Sequence, residues 1–74
     1  MTLDVLKPGD QATIQKIHAT GALKRRLMDM GLTKGTALQI KKLAPLGDPM
    51  EITIRGYELT LRKKECECVE VSRA

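Results

Sequence analysis

Few side chains in this chain could do chemistry: a single histidine, His18, and two cysteines, Cys66 and Cys68, one residue apart. Two thiolates and an imidazole would supply three of the four ligands that a tetrahedral zinc site requires. The Cys-x-Cys spacing is shorter than the roughly two to four intervening residues usual in such sites. On a strand, however, residues i and i+2 share a face, and two thiolates placed there would converge. A site built this way is short of a ligand and would bridge two molecules. The competing reading is packing, with Cys66 a small buried apolar residue and Cys68 an exposed one. A Cys–His nucleophilic pair would draw on the same three residues. Other catalytic sets lack their parts. Asp4, Asp10, Asp29 and Asp48 lie beside turns or ends, so no Ser-His-Asp arrangement is suggested. Gly31, Gly35 and Gly47 are too scattered to cradle a phosphate, and Gly47-Asp48-Pro49 lacks the helix and lysine that must follow. The expectation is a protein that is not an enzyme, carries no cofactor and has no assigned metal.

The elements that position these residues are led by residues 44–62. Met50, Ile52 and Ile54 alternate with Glu51, Thr53 and Arg55, and Tyr57, Leu59 and Leu61 alternate with Glu58, Thr60 and Arg62. Strict period two, twice, predicts two half-buried strands. Arg55-Gly56 between them is a two-residue turn, because glycine accepts positive φ. Folding on that turn sets Ile54 opposite Tyr57, Ile52 opposite Leu59 and Met50 opposite Leu61, all on one face. A slip by one residue would mix the faces, so the pattern specifies its own register.

Upstream, residues 1–7 read as an arm that packs Leu3 and Leu6, followed by a turn at Pro8-Gly9. Residues 11–18 read as a strand in which Ile17 is out of phase with Ala12 and Ile14, which implies a bulge. Thr20 can cap a helix over residues 23–30, where Leu23, Leu27 and Met30 recur at helical spacing and Gly31 follows as a stop. Lys24, Arg25 and Arg26 come early in it, against the helix dipole; they read as a solvated face or as a basic contact patch. Residues 37–43 form a strand, with Leu43 out of phase with Leu38 and Ile40. Residues 44–49 form a loop, residues 63–65 a short turn and residues 69–72 a last strand. Five short strands, one helix after the first, and two phase slips predict a mostly β chain, a small closed or nearly closed barrel, in one domain over residues 1–74.

Composition narrows the partners. The net charge is +4, which favours an acidic protein, an anionic membrane surface or nucleic acid. There is no Phe or Trp and only one Tyr, so the core is aliphatic and the stacking platform of a base-binding barrel is missing. A nucleic-acid-binding barrel therefore rests on charge and fold class alone, and no nucleic acid is expected. No stretch approaches the roughly 20 apolar residues of a membrane span, and no signal segment opens the chain. A cytoplasmic protein is expected. Its oligomeric state, including weak homo-oligomer formation, is left open.

The run Leu27-Met28-Asp29-Met30-Gly31-Leu32 with Gly35, then Ala44-Pro45-Leu46-Gly47-Asp48-Pro49, then Ile54-Arg55-Gly56-Tyr57 and Leu61-Arg62, resembles the FeoA family of ferrous iron transport accessory proteins. Leu6, Pro8-Gly9 and residues 12–17 fit as well, so the resemblance spans the chain. It implies a small SH3-like β-barrel with one helix and a cytoplasmic role in bacterial ferrous iron uptake. It also implies FeoB as partner, a membrane transporter with a cytoplasmic GTP-hydrolysing domain. Gly31, Gly35, Gly47, Pro49 and Gly56 are explained as turn residues, and Leu27, Met30 and Leu32 as core. Arg26, Asp29, Asp48, Arg55 and Tyr57 are harder to explain by packing and are the candidates for a partner-binding surface. The Cys66-x-Cys68 pair lies outside the family pattern; a metal-responsive module built on it is a further alternative.

Overall fold

The alternating stretch is a hairpin. In a computed structural model, which describes residues 1–73, β3 (Met50–Ile54) and β4 (Tyr57–Leu61) pair antiparallel. Their register is the one that the alternation requires: Met50 opposite Leu61, Ile52 opposite Leu59 and Ile54 opposite Tyr57. Arg55 and Gly56 have φ of 49° and 83°. Positive φ at both central residues is the type I′ pattern, whose twist matches that of the strands it joins. On β3 the apolar face is buried to its end, whereas on β4 burial fades toward the turn. Leu61 is fully buried, Leu59 is half-buried, and Tyr57 is 43% exposed, a rim residue and not a core one.

Three further strands complete the sheet: β1 (Gln11–Ile17), β2 (Ala37–Leu43) and β5 (Val69–Arg73). The order is β4-β3-β2-β1-β5, every pair antiparallel. Both expected bulges are present. The β1–β5 register shifts between Ile14 and Lys16, which returns Ile17 to the buried face. The β2–β3 register shifts between Ile40 and Lys42, which brings Leu43 opposite Met50. Each bulge strengthens the local twist and curls the sheet round its core of Leu, Ile, Val and Met.

Closure, however, is not made by strand pairing: β4 and β5 remain the two edges among the described residues. The N-terminal arm blunts one of them. Leu3 and Leu6 are buried in the core, Thr2 bridges Glu70, and the Val71 N–H donates to the Met1 carbonyl at 2.8 Å. A covered edge is not open to adding a foreign strand.

The helix α1 spans Gly21–Asp29, two residues earlier than its apolar spacing suggests. Thr20 occupies the cap position with an extended backbone, but its hydroxyl makes no capping hydrogen bond. The chain enters through Gly21 at φ 62°, a left-handed step that takes Thr20 out of line with the first turn. Leu27 is the one α1 residue that is fully buried, and Leu23 and Met30 pack against the same core. Residues 63–65, expected as a turn, belong to a one-turn helix, α2 (Lys63–Cys66). The final strand continues one residue past its expected end, to Arg73.

Candidate docking face

Of the five residues singled out as a contact surface, Arg26 and Asp29 lie on α1, Tyr57 opens β4, and Asp48 and Arg55 lie in connections; four of them carry ties of the fold itself. Tyr57 opens β4 and donates its hydroxyl to the Met30 carbonyl at the end of α1, at 2.6 Å. This accounts for one of the carbonyls that every helix leaves unpaired at its C-terminus. Arg55, in the hairpin turn, donates to the hydroxyl of Thr36 at 3.1 Å. Thr36 is buried, and that oxygen also meets Thr33 at 2.9 Å. Arg26, on α1, pairs with Glu65 on α2. Asp48 accepts the Lys63 N–H at 3.1 Å, at the first turn of α2, and stands 3.9 Å from the Arg62 guanidinium. Asp29 is exposed and makes no hydrogen bond or ion pair among the described residues.

These ties form one chain: hairpin turn to the end of α1, α1 to α2, and α2 to residues 44–49. Glu65 is its junction, a residue that sequence reasoning passed over. One carboxylate oxygen accepts the Arg62 N–H at 2.8 Å and the other meets Arg26. The sequence carried no ready signal, because Arg62 is not the Ser or Thr that opens the usual capping box, although Glu65 reaches back to the Arg62 N–H in the same way. Glu65→Ala removes the cap and the ion pair together and should cost about 1–2 kcal/mol. Glu65→Gln keeps the acceptor and should cost less than half of that. Thermal melts resolve the two, since about 1 kcal/mol moves a domain of this size by roughly 4–8 °C.

The cysteines do not lie on a strand. Cys66 ends α2 and Cys68 lies in the turn beyond it, so they do not share a pleat. Cys66 is fully buried, with its sulfur 3.9 Å from that of Met50. Burial, with Asp4, Asp48 and Glu67 nearby, pushes its thiol up to about 12. The Cys68 thiol faces the Lys64 carbonyl at 3.5 Å. His18 is tied elsewhere: its backbone N–H donates to the Cys68 carbonyl and its ring meets Glu70 at 2.5 Å. The His18 hydrogen bond holds the Glu70 carboxyl below its ordinary range. Among the described residues no three His, Cys, Asp or Glu side chains converge as a metal would need. At pH 8, one thiol per chain should react with a disulfide reagent in the native protein and two in denaturant. The silent one is Cys66, sealed from solvent and with thiolate scarcer than thiol by about 10,000-fold. Mass spectrometry of the labelled peptides assigns the site.

On the far side of α1, a shallow groove against β1 is floored by Ile17, Met28 and Leu32 and rimmed by Lys16, Lys24 and Lys34. None of the three lysines forms an ion pair among the described residues. Lys24 therefore lies beside two other exposed lysines, while Arg26 of the same run is paired with Glu65. Among the described residues the surface brings no acid, base and nucleophile together. It offers charged and apolar side chains on fixed elements, which suits recognition of a macromolecule.

The FeoA domain model matches residues 1–73. A fusion protein of Porphyromonas gingivalis, joining Fe(2+) transport protein A to the Fe(2+) transporter FeoB, is 34% identical over 71 residues. That match covers 96% of this chain, and the chain spans only 8% of the fusion protein's length. The solution structure of the FeoA protein from Chlorobium tepidum is 44% identical, with a TM-score of 0.90 over 99% of this chain and 70% of that one. FeoA of Stenotrophomonas maltophilia, solved with zinc and described as a prokaryotic SH3 domain protein, is 29% identical. Its TM-score is 0.84 over 97% of this chain and 89% of that one. The mostly β, SH3-like fold with a helix after the first strand is common to all of these comparisons with solved structures.

Proposed function

The chain belongs to the FeoA family, an accessory group of ferrous iron transport, and from that premise we propose that it docks on the cytoplasmic face of a FeoB-type transporter and modulates its assembly or nucleotide cycle. One observation carries this reading: in the Porphyromonas gingivalis relative the matching segment and the transporter are one polypeptide. A tether raises the effective concentration of a module to about the millimolar range. The net charge of +4 and the unpaired lysines beside α1 suit an acidic partner near the anionic cytoplasmic leaflet. The absence of any catalytic grouping among the described residues fits a module that acts by binding.

The proposed contact surface runs from the hairpin turn at Arg55 and Tyr57, over the α1 end with Arg26 and Asp29, to Asp48. Arg26 and Tyr57 keep 60% and 43% of their surfaces exposed while they hold the fold, so a partner can still reach them. Titrating the isotope-labelled protein with the cytoplasmic domain of its cognate transporter should shift amides on α1, residues 44–49 and the β3–β4 turn. Asp48→Asn with Arg55→Asn removes two charges, keeps an acceptor for the Lys63 N–H and suits the left-handed turn. That double variant should melt close to the wild type and dock about tenfold more weakly. Unchanged docking would move the contact surface elsewhere.

A further inference from the structure

Leu46 is out of place twice over. Its side chain is 98% exposed, at the tip of the 3-10 turn Pro45–Gly47. Its backbone lies at φ 69°, ψ 10°, in the left-handed region. The Gly47 N–H donates to the Ala44 carbonyl at 2.8 Å, so Leu46 is the third residue of a closed four-residue turn. With those angles, this is the position that calls for glycine in a type II turn. An exposed leucine alone needs no explanation. An exposed leucine where the backbone also favours glycine is different: the left-handed step is a cost that glycine would remove, and a side chain 98% exposed gains no burial that would repay it.

The tip is also held. The Ala44 N–H donates to the Pro49 carbonyl at 3.0 Å and closes the base of the loop. Asp48 fastens the exit to α2 through the Lys63 N–H. Pro45 and Gly47 flank the tip, so an aliphatic side chain projects from an anchored backbone. With its backbone held in advance, the loop loses little freedom on binding.

We propose that Leu46 is a docking anchor, an aliphatic knob on a held turn that enters an aliphatic socket on the transporter of the preceding section, on which reading the identity of the partner rests. A socket is favoured over a bilayer because the tip offers one side chain. Even a whole myristoyl chain gives only marginal membrane binding, whereas a pocket that closes round one leucine gains its full burial. The rim that the socket brings should be acidic, because the Arg62 guanidinium, with its side chain 72% exposed, and Lys63 flank the loop at Asp48.

The test compares the wild type, Leu46→Gly and Leu46→Met in binding to the full cognate transporter in nanodiscs. Ferrous iron uptake by cells lacking the native protein and flotation with anionic vesicles are measured alongside. Leu46→Gly should melt at or above the wild-type temperature. Its affinity should fall about ten- to a hundredfold, the range expected from one buried leucine. Leu46→Met should stay within a few-fold of the wild type. If the wild type binds and Leu46→Gly binds as well, the knob is overturned and docking survives. Should the wild type not bind the transporter, yet uptake fail with Leu46→Gly and return with Leu46→Met, the knob stands and its socket belongs to another protein of the uptake route. Unchanged uptake in that case removes both readings. Vesicle flotation that depends on Leu46 would replace the socket with the bilayer and overturn the proposal.

Discussion

Leu27→Ala should cost about 2–5 kcal/mol, the range for truncating a fully buried leucine whose surroundings only partly collapse. Leu27 is the one α1 side chain with no exposure, and only the half-buried Leu23 and Met30 assist it. A helix of nine residues has too little intrinsic stability to persist without that anchorage. Domains of this size hold roughly 0.05–0.15 kcal/mol per residue, so the loss is a large part of the total. The melting temperature should fall by roughly 10–30 °C. Amide exchange separates two ways of failing. If α1 detaches locally, its amides lose protection while the β2–β3 ladder keeps its own. If α1 and the sheet form one cooperative unit, both lose protection together. A shift of less than about 5 °C would mean that the ties of Tyr57 and Arg26, and not burial, hold the helix.

Much of this architecture is legible without coordinates, for a definite physical reason. A strand that buries one face has period two, and a hairpin whose both strands do so has only one register that keeps its faces apart. That argument reached the pairing of Met50 with Leu61 and of Ile54 with Tyr57. The same period made the bulges visible, because Ile17 and Leu43 break phase where an extra residue enters the ladder. The one-turn helix α2 was not legible. It is too short to show periodicity, and part of its cap comes from Asp48, 15 residues upstream. The candidate surface was half legible. Arg55 and Tyr57 stood out as polar residues without a local role, but their partners Thr36 and Met30 lie 19 and 27 residues away in sequence. Only the folded chain brings those pairs together. Leu46 lies in a stretch that reads only as a loop, although a large aliphatic residue between Pro and Gly at a turn is itself a signal.

The second large effect is expected at Gly31. It follows α1 at φ 100°, the left-handed step by which the chain leaves a helix. A Cβ built there would collide with the Tyr57 hydroxyl oxygen, which is itself held at 2.6 Å by the Met30 carbonyl. The next ring atom is 3.6 Å away, an ordinary contact, so the conflict is with the hydroxyl alone. Gly31→Ala therefore carries two costs: about 1–2 kcal/mol for a left-handed residue with a Cβ, and about 0.5–1.5 kcal/mol for the hydrogen bond that Tyr57 must give up. The sum is about 1.5–3.5 kcal/mol. Tyr57→Phe alone should cost about 1 kcal/mol, by the same bond. In the double variant the hydroxyl is already gone and the methyl group has room, so only the backbone strain is added. The cycle should return a coupling of about 1 kcal/mol, with the double variant more stable than the sum of its parts predicts. Additive losses would mean that Tyr57 yields freely, that its bond to Met30 contributes little, and that the end of α1 is fastened to β4 by apolar packing instead.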